Sequence, residues 1–377
     1  MESLFTPAEV ADLEARALPR PTAGVDTLAD LDGAVLLGAG VYSGMLLPHL
    51  RRRGIRPAWF ADSAPERWGS SLCGIEIRPP ESLAAAGDRL VVAMTHHFRA
   101  MAEILLRWRV QRWAWFTQVR EVFGNYDFVA RPDEVAGNAE ITRLARLLHR
   151  SAGSLEVLKK SLLCRVSGDP RDFPPATPGQ YFQDDLVGRD RCSRFVDCGA
   201  FTGDTLREWA HRVEGLPSSG LTYHALEPDP ENFRVLEEAR AGLAESIRTS
   251  VHLHGCAAGR EAGHLRIVPG GLTSLVSERL REGVEVPVVR LDDLLPGESV
   301  TALKMDVEGF EPHALEGART LISTSRPVLL VAIYHQVRHL WELPLWIHDL
   351  GLGYRVELRH HDRSMSETVC YALPEGA

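Results

Sequence analysis

The sequence predicts an α/β protein of two Rossmann-like domains joined by a helical linker, and three observations predict it. Apolar strand-like runs alternate with helical segments twice along the 377 residues, the pattern of parallel sheets with helical crossovers. Two of those runs pass directly into glycine loops, LLGAGVYSGM over residues 36–45 and FVDCGAFTGDT over residues 195–205. A Pro-, Gly- and Asp-rich stretch, residues 167–180, lies between the two. The length also exceeds what one ordinary core takes and suits two.

Residues 1–30 read as a short helix and a loop. In the first domain, residues 31–125, AVLLGAG is a buried strand entering a glycine turn and SGMLLPHLRRRG a helix ending at Gly54. RPAWFADS is a second strand ending in Asp62, DRLVVAMTH a third, and AEILLRWRV the helix after it. Residues 126–180 form the linker, where NAEITRLARLLH and SLEVLKKSLLCRV place apolar residues at helical spacing. In the second domain, residues 181–377, RFVDCGA is a strand and GDTLREWAHRV a helix. LTYHALEPD is a strand ending at Glu227, and Pro230 opens the next helix, where proline is tolerated. VHLHGCAAG is strand three; HLRIVPG and VEVPVVRL are an antiparallel excursion. ALKMDVEGFE is a strand ending at Asp306, followed by PHALEGARTLI as helix, PVLLVAIYH as strand and LPLWIHDLG as helix. YRVELRHH and TVCYALP close the domain as an antiparallel pair. That is room for a seven-stranded, mostly parallel sheet.

Bulk composition narrows the partners. The net charge of -9 argues against nucleic acid, because phosphate binding wants a basic face. The run VLLVAIY is too short to span a bilayer, so no membrane partner is expected. The acidic, amphipathic N-terminus lacks a secretion-signal pattern. None of the six cysteines forms a C-x-x-C pair, so they read as reduced thiols of a cytoplasmic protein.

In an open parallel sheet ligands sit beyond the carboxyl ends of the strands. Asp197, Glu227, Cys256 and Asp306 all end strands and should converge. The second loop reads Asp197, Gly199, Gly203. A pyrophosphate site prefers bare amides at a helix N-terminus; an acid just before the loop suits a cationic group instead. S-adenosylmethionine, with an ammonium and a sulfonium, is such a ligand. Glu227 is placed for a ribose hydroxyl pair, and Asp229 or Asn232 for the adenosine side.

The stretch 181–373 resembles the FkbM family of S-adenosylmethionine-dependent methyltransferases. The resemblance is carried in order by YFQDDLV, FVDCGAFTGDT, ALEPDPENF, GCAAG, RLDDLL, LKMDVEGFEPHALEGA and RHHDRSMSETVCYALP. It implies a class I methyltransferase sheet, with Asp197, Gly199, Gly203, Asp204 and Thr205 at the methionine end of the cofactor. Glu227 would serve the ribose, Cys256 and Ala257 would flank the adenine, Tyr181 and Phe182 would cover the cofactor, and Pro228 and Asn232 complete the cofactor-binding set.

Methyl transfer asks mainly for alignment and dryness; a hydroxyl acceptor also has to lose its proton. Asp306 and Glu308 of DVEG and His335 of IYH are the candidate catalytic bases, with His360 and His361 able to join them at the acceptor. Asp306, Glu308 and His335 would alternatively suit a divalent metal. Asp292 and Asp293 read as capping or surface acids.

The first loop reads Gly38, Gly40, Gly44, with Asp62 ending the next strand. It resembles the small Rossmann-like domains that bind a nucleotide-sugar; its spacing also fits a dinucleotide, and a degenerate domain serving folding or a homodimer stays open. These four residues are taken as an accessory site for the acceptor. The expectation is an O-methyltransferase for a small, polar, hydroxylated metabolite such as a sugar or nucleotide-linked sugar in natural-product or glycan tailoring. The alternatives are an NAD(P)-dependent oxidoreductase built on the first loop, or a non-catalytic cofactor-binding protein.

Overall fold

The computed structural model describes residues 3–268, 275–276 and 283–375. The first domain forms a six-stranded sheet in the order β3-β4-β2-β1-β5-β6. Its strands are β1 Val35–Leu37, β2 Trp59–Ala61, β3 Ser71–Leu72, β4 Ile75–Arg78, β5 Val91–Ala93 and β6 Trp113–Trp115. All pair in parallel except β3. β1, β2, β5 and β6 are buried along their length, as apolar strands covered on both faces must be. The helix Val41–Arg52 follows the first glycine loop as predicted, with Pro48 inside it.

The second domain holds the predicted seven-stranded sheet. Its members are β7 Arg194–Cys198, β8 Thr222–Leu226, β9 Val251–His254, β14 Ala302–Met305, β15 Val328–Ala332, β16 Tyr354–His360 and β17 Thr368–Pro374. They lie in the order β16-β17-β15-β14-β7-β8-β9, and only the pairings of β17 are antiparallel. The predicted excursion is a separate small sheet of β10 Ala257–Ala258, β11 Gly263–Val268, β12 Leu275–Val276 and β13 Val284–Val289, with β11 and β13 antiparallel. Pro269 and Gly270 of the HLRIVPG run lie outside the described residues.

Local sequence sets the helix ends. Asp229 caps Pro230–Ala241, accepting from the amides of Glu231 at 2.7 Å and Asn232 at 3.3 Å. Asp292 is a cap too, but of a later helix, Arg319–Ser325, taking the amides of Thr320 and Leu321. The helices of residues 126–180 do more than connect. Ile141, Leu144, Leu158 and Leu162 enter one core with Leu303, Leu329 and Val331 of the second sheet, so this segment covers one face of that sheet. The other face is covered by Asp204–Arg212 and Pro230–Ala241. Among the described residues, no helix is long and apolar enough to cross a membrane.

The segment after the first domain joins the loop after β15 through a short β-bridge. The Asp127 amide donates to the His335 carbonyl at 2.9 Å and the Val337 amide to the Asp127 carbonyl at 2.8 Å. Arg165 is buried and donates to the carbonyls of Tyr334 and Met365 at 2.7 and 2.8 Å. Gly309 makes this contact close. Its φ is 91°, and a Cβ there would stand 2.6 Å from the Asn125 carbonyl oxygen. Gly309→Ala should therefore cost about 1–3 kcal/mol. Urea unfolding should show it as a lowered midpoint; an unchanged midpoint would mean the contact yields freely.

Candidate active site

The carboxyl ends of β9, β8, β7, β14 and β15 and the start of β17 open onto a cavity of about 330 Å³. Of the residues expected at a cofactor, Tyr181, Gly199, Asp204, Thr205, Glu227, Pro228, Asn232, Cys256 and Ala257 line it, together with Asp229. Asp306 and Glu308 line it as well. Phe182, Asp197 and Gly203 do not, and each has a physical reason.

Asp197 faces Lys304, its direct neighbour across the β7–β14 register. Lys304 Nζ stands 2.8 Å from Asp197 Oδ1, and the Tyr223 hydroxyl donates to the other oxygen. The carboxylate is fully buried, so this pairing is what makes its charge tolerable. Burial opposes the charge on Lys304, but Asp197 and Asp306 hold its pKa above the ordinary lysine value. The same ammonium donates to the Gly199 carbonyl at 2.7 Å. Asp197 thus shapes the glycine loop from beneath rather than from within the cavity.

Gly203 starts the helix Asp204–Arg212 with φ 82° and packs on Leu236 and Ala239. Phe182 stacks on Phe195, ring centroids 5.6 Å apart, in the core below. Gly199 is the tightest point of the loop: at φ 82°, a Cβ would lie 1.8 Å from the Asp306 carbonyl oxygen. Only glycine lets the β7 and β14 loops touch.

Glu227 is held by backbone. The Phe201 amide donates to Oε2 at 2.8 Å and the Asp229 amide to Oε1 at 2.9 Å. Burial nevertheless pushes its carboxyl up to about 7, against the pull of those amides. The result is a fixed acceptor on the cavity wall.

His335, expected among the bases, lies behind the cavity at 1% exposure. Its Nδ1 is 3.0 Å from Glu311 Oε1, and its Nε2 is 3.3 Å from Glu308 and 3.7 Å from Asp306. Burial disfavours its charge, but Glu311 and Glu308 outweigh that and keep it protonated. A histidine so held has no lone pair to give. Its part is to hold the carboxylates of Glu308 and Asp306. Glu308 is half-exposed at the rim; partial desolvation opposes its charge, but the His335 cation at 3.3 Å and the Tyr126 hydroxyl at 2.6 Å keep its pKa below the ordinary glutamate value.

Asp306, Glu311 and His335 offer three ligand atoms within 4.8 Å of one another. Those atoms are engaged with the protein. Glu311 Oε1 takes the amides of Val307 at 3.0 Å and Gly309 at 3.2 Å, besides His335. Hydrogen bonds reach Asp306 and Glu311 Oε1, while the buried His335 nitrogens and Glu311 Oε2 have ion-pair contacts only; Glu308, half-exposed at the rim, falls outside the set.

The acceptor candidates divide differently. His360 is buried against Thr368, 2.8 Å away, and burial lowers its pKa to about 4. His361 Nδ1 donates to the Thr177 carbonyl at 2.7 Å, while its Nε2 accepts the Tyr371 hydroxyl at 2.9 Å. That hydroxyl in turn accepts the Tyr181 amide at 3.0 Å. Neither histidine lines the cavity; His361 buttresses Tyr181, which does. Gly38, Gly40, Gly44 and Asp62 do not line it. Asp62 closes the first loop on itself, accepting from the amides of Ala39 at 2.7 Å and Ala64 at 2.8 Å, with Arg67 at 3.4 Å.

Lys304, Gln180, Tyr334 and Glu367 line the cavity without having been singled out. A lysine inside the apolar strand ALKM needed a buried partner, and that signal pointed to Lys304. Tyr126, 182 residues from Glu308 in sequence, carried no local signal.

Residues 197–356 match the family model for the methyltransferase FkbM domain. The chain carries a methyltransferase FkbM domain. Across nearly its whole length the chain has the fold of a methyltransferase FkbM from Methylobacillus flagellatus KT, at 24% identity over 98% of this chain and 94% of that one, with a TM-score of 0.60. At that identity the likeness speaks for the fold. Part of the chain also aligns with a fibrillarin from Aeropyrum pernix, solved with natively bound S-adenosyl-L-methionine, at 14% identity, 48% of this chain, 66% of that chain and a TM-score of 0.29. No curated protein matches the chain.

Proposed function

We propose that the FkbM domain takes a methyl group from S-adenosylmethionine and places it on a hydroxyl of a small polar metabolite, such as a sugar or nucleotide-linked sugar. The observation that carries the donor is the Glu227 carboxylate, fixed by two amides on the wall of a cavity whose other acids are Asp204, Asp229, Asp306, Glu308 and Glu367. The one lysine on that wall, Lys304, is already paired with Asp197. Such a wall suits a ribose diol and a cation. The donor supplies an electrophilic methyl carbon. The chain supplies position and dryness: Glu227 for the ribose, the Gly199–Thr205 loop for the methionine, and Leu265 and Ile267 as apolar cover.

Isothermal calorimetry with S-adenosylmethionine tests the donor. Glu227→Ala should weaken binding about ten- to hundredfold, the worth of a charge-assisted hydrogen-bond pair. A wild-type protein that does not bind the donor would sink the proposal. Labelled methyl from the donor, followed into the low-molecular-weight fraction of a cell extract, tests the acceptor; the methyl NMR shift of the product separates oxygen from nitrogen.

A further inference from the structure

Strand order divides the cavity. β9, β8 and β7 bring Cys256, Glu227 and Gly199 to one half, while β14, β15 and β17 bring Asp306, Tyr334 and Glu367 to the other. Adenosine and methionine held in the first half leave the sulfur facing the second, because neighbouring strands stand only about 4.8 Å apart.

Four groups near the second half could receive an acceptor's proton, and three are committed. His335 is protonated between Glu311 and Glu308. Glu308 holds the Tyr126 hydroxyl and His335. Asp306 accepts Tyr181 at 2.7 Å on one oxygen and Tyr334 at 3.3 Å on the other. Glu367 differs. The Gln180 amide donates to its Oε2 at 2.5 Å, and no donor among the described residues reaches its Oε1. Its backbone is pinned at φ 66°, with its carbonyl accepting the His361 amide at 3.0 Å.

We propose that Glu367 is the proton acceptor of the methyl transfer, and that the positive charge of the bound donor arms it. This rests on the donor reading above. In the free protein, burial and the neighbouring Asp306 push the Glu367 carboxyl up to about 7; Gln180 and His335 pull it down and Glu308 adds to the rise. Tyr181 and Tyr334 face it as neutral hydroxyls, their pKa values raised by burial. At pH 7 the carboxyl carries its proton about half of the time. A sulfonium set beside it favours the ionised form and expels that proton. As the acceptor oxygen bonds the methyl carbon, its proton passes to the Glu367 carboxylate and the electron pair of the breaking C–S bond stays on sulfur. Sulfonium and carboxylate become thioether and carboxylic acid, so the charge of the site balances.

Calorimetry at pH 7 in buffers of different ionisation enthalpy counts the protons released on binding. S-adenosylmethionine and S-adenosylhomocysteine share ribose and amino acid, so whatever Glu227 contributes is common to both, and only the sulfonium differs. The methylated ligand should release up to about half a proton more per site. Its affinity relative to the demethylated one should rise between pH 6 and 8, by up to about tenfold. The difference should vanish in Glu367→Gln and persist in Glu308→Gln. Equal release by the wild type overturns the proposal, and so does a difference that survives Glu367→Gln. The wild-type comparison needs no variant, so a poorly folding Glu367→Gln leaves the test standing. Binding of both ligands with equal release sinks this proposal alone; binding of neither sinks the donor reading.

Discussion

Asp197→Ala should lose about 3–5 kcal/mol of folding stability, because it strands the buried Lys304 ammonium without its counter-ion. A loss of that size is a large share of the margin of an ordinary domain. Affinity for S-adenosylmethionine should fall with it, indirectly: Lys304 would be released from its position against the Gly199 carbonyl. Two companions separate these effects. Asp197→Asn keeps an acceptor for Tyr223 and Lys304 and should cost less. Asp197→Ala combined with Lys304→Met removes both charges, and should recover much of the stability but not the affinity, since Gly199 still lacks its donor. Urea unfolding and calorimetry on the same samples decide the matter. If Asp197→Ala kept its unfolding midpoint and lost only donor binding, Asp197 would be a direct ligand and the geometry here would be misread.

Gly199→Ala should abolish measurable donor binding, a loss of at least about a hundredfold. Two independent costs meet at this residue. Its φ of 82° is strained for any side chain, and the added Cβ would lie 1.8 Å from the Asp306 carbonyl oxygen. Relief requires the β7 and β14 loops to part, and these two loops carry the donor wall and the acceptor wall. Gly203→Ala is the informative contrast. It has the same φ, yet its Cβ would meet side chains rather than backbone, those of Leu236 and Ala239 at 3.0 Å and of Leu206 at 3.8 Å. That variant should lose stability and keep more affinity. A Gly199→Ala protein that bound the donor within about threefold of wild type would show that the loops are not locked together.

The strands and their glycine loops were legible because each is a local pattern. Apolar runs such as FVDC and ALKM pass directly into a glycine or an acid, and that alone places the rim of a parallel sheet. Glu227, Asp306 and the glycine loop were found in this way. The direction in which an acid points was not legible. Asp197 and Glu227 both sit at the carboxyl ends of neighbouring strands, yet one turns to a lysine on β14 and the other stays on the cavity wall. His335 looked like a base from its place after VLLVAIY, but Glu311, four residues beyond Val307 on another element, decides its charge.

What sequence alone determined is therefore the periodic part: two Rossmann-like sheets, room for seven mostly parallel strands in the second, and the strand ends at which chemistry gathers. Alternation, loop glycines and caps act within a few residues, so they can be read in a line. Only the tertiary structure decided which charges are spent on one another and which face the cavity. Asp197 with Lys304, Glu308 with Tyr126, and Glu367 beside Asp306 are pairings over 107, 182 and 61 residues. Electrostatic energy depends on distance in space and on burial, and neither is written in the spacing of the chain.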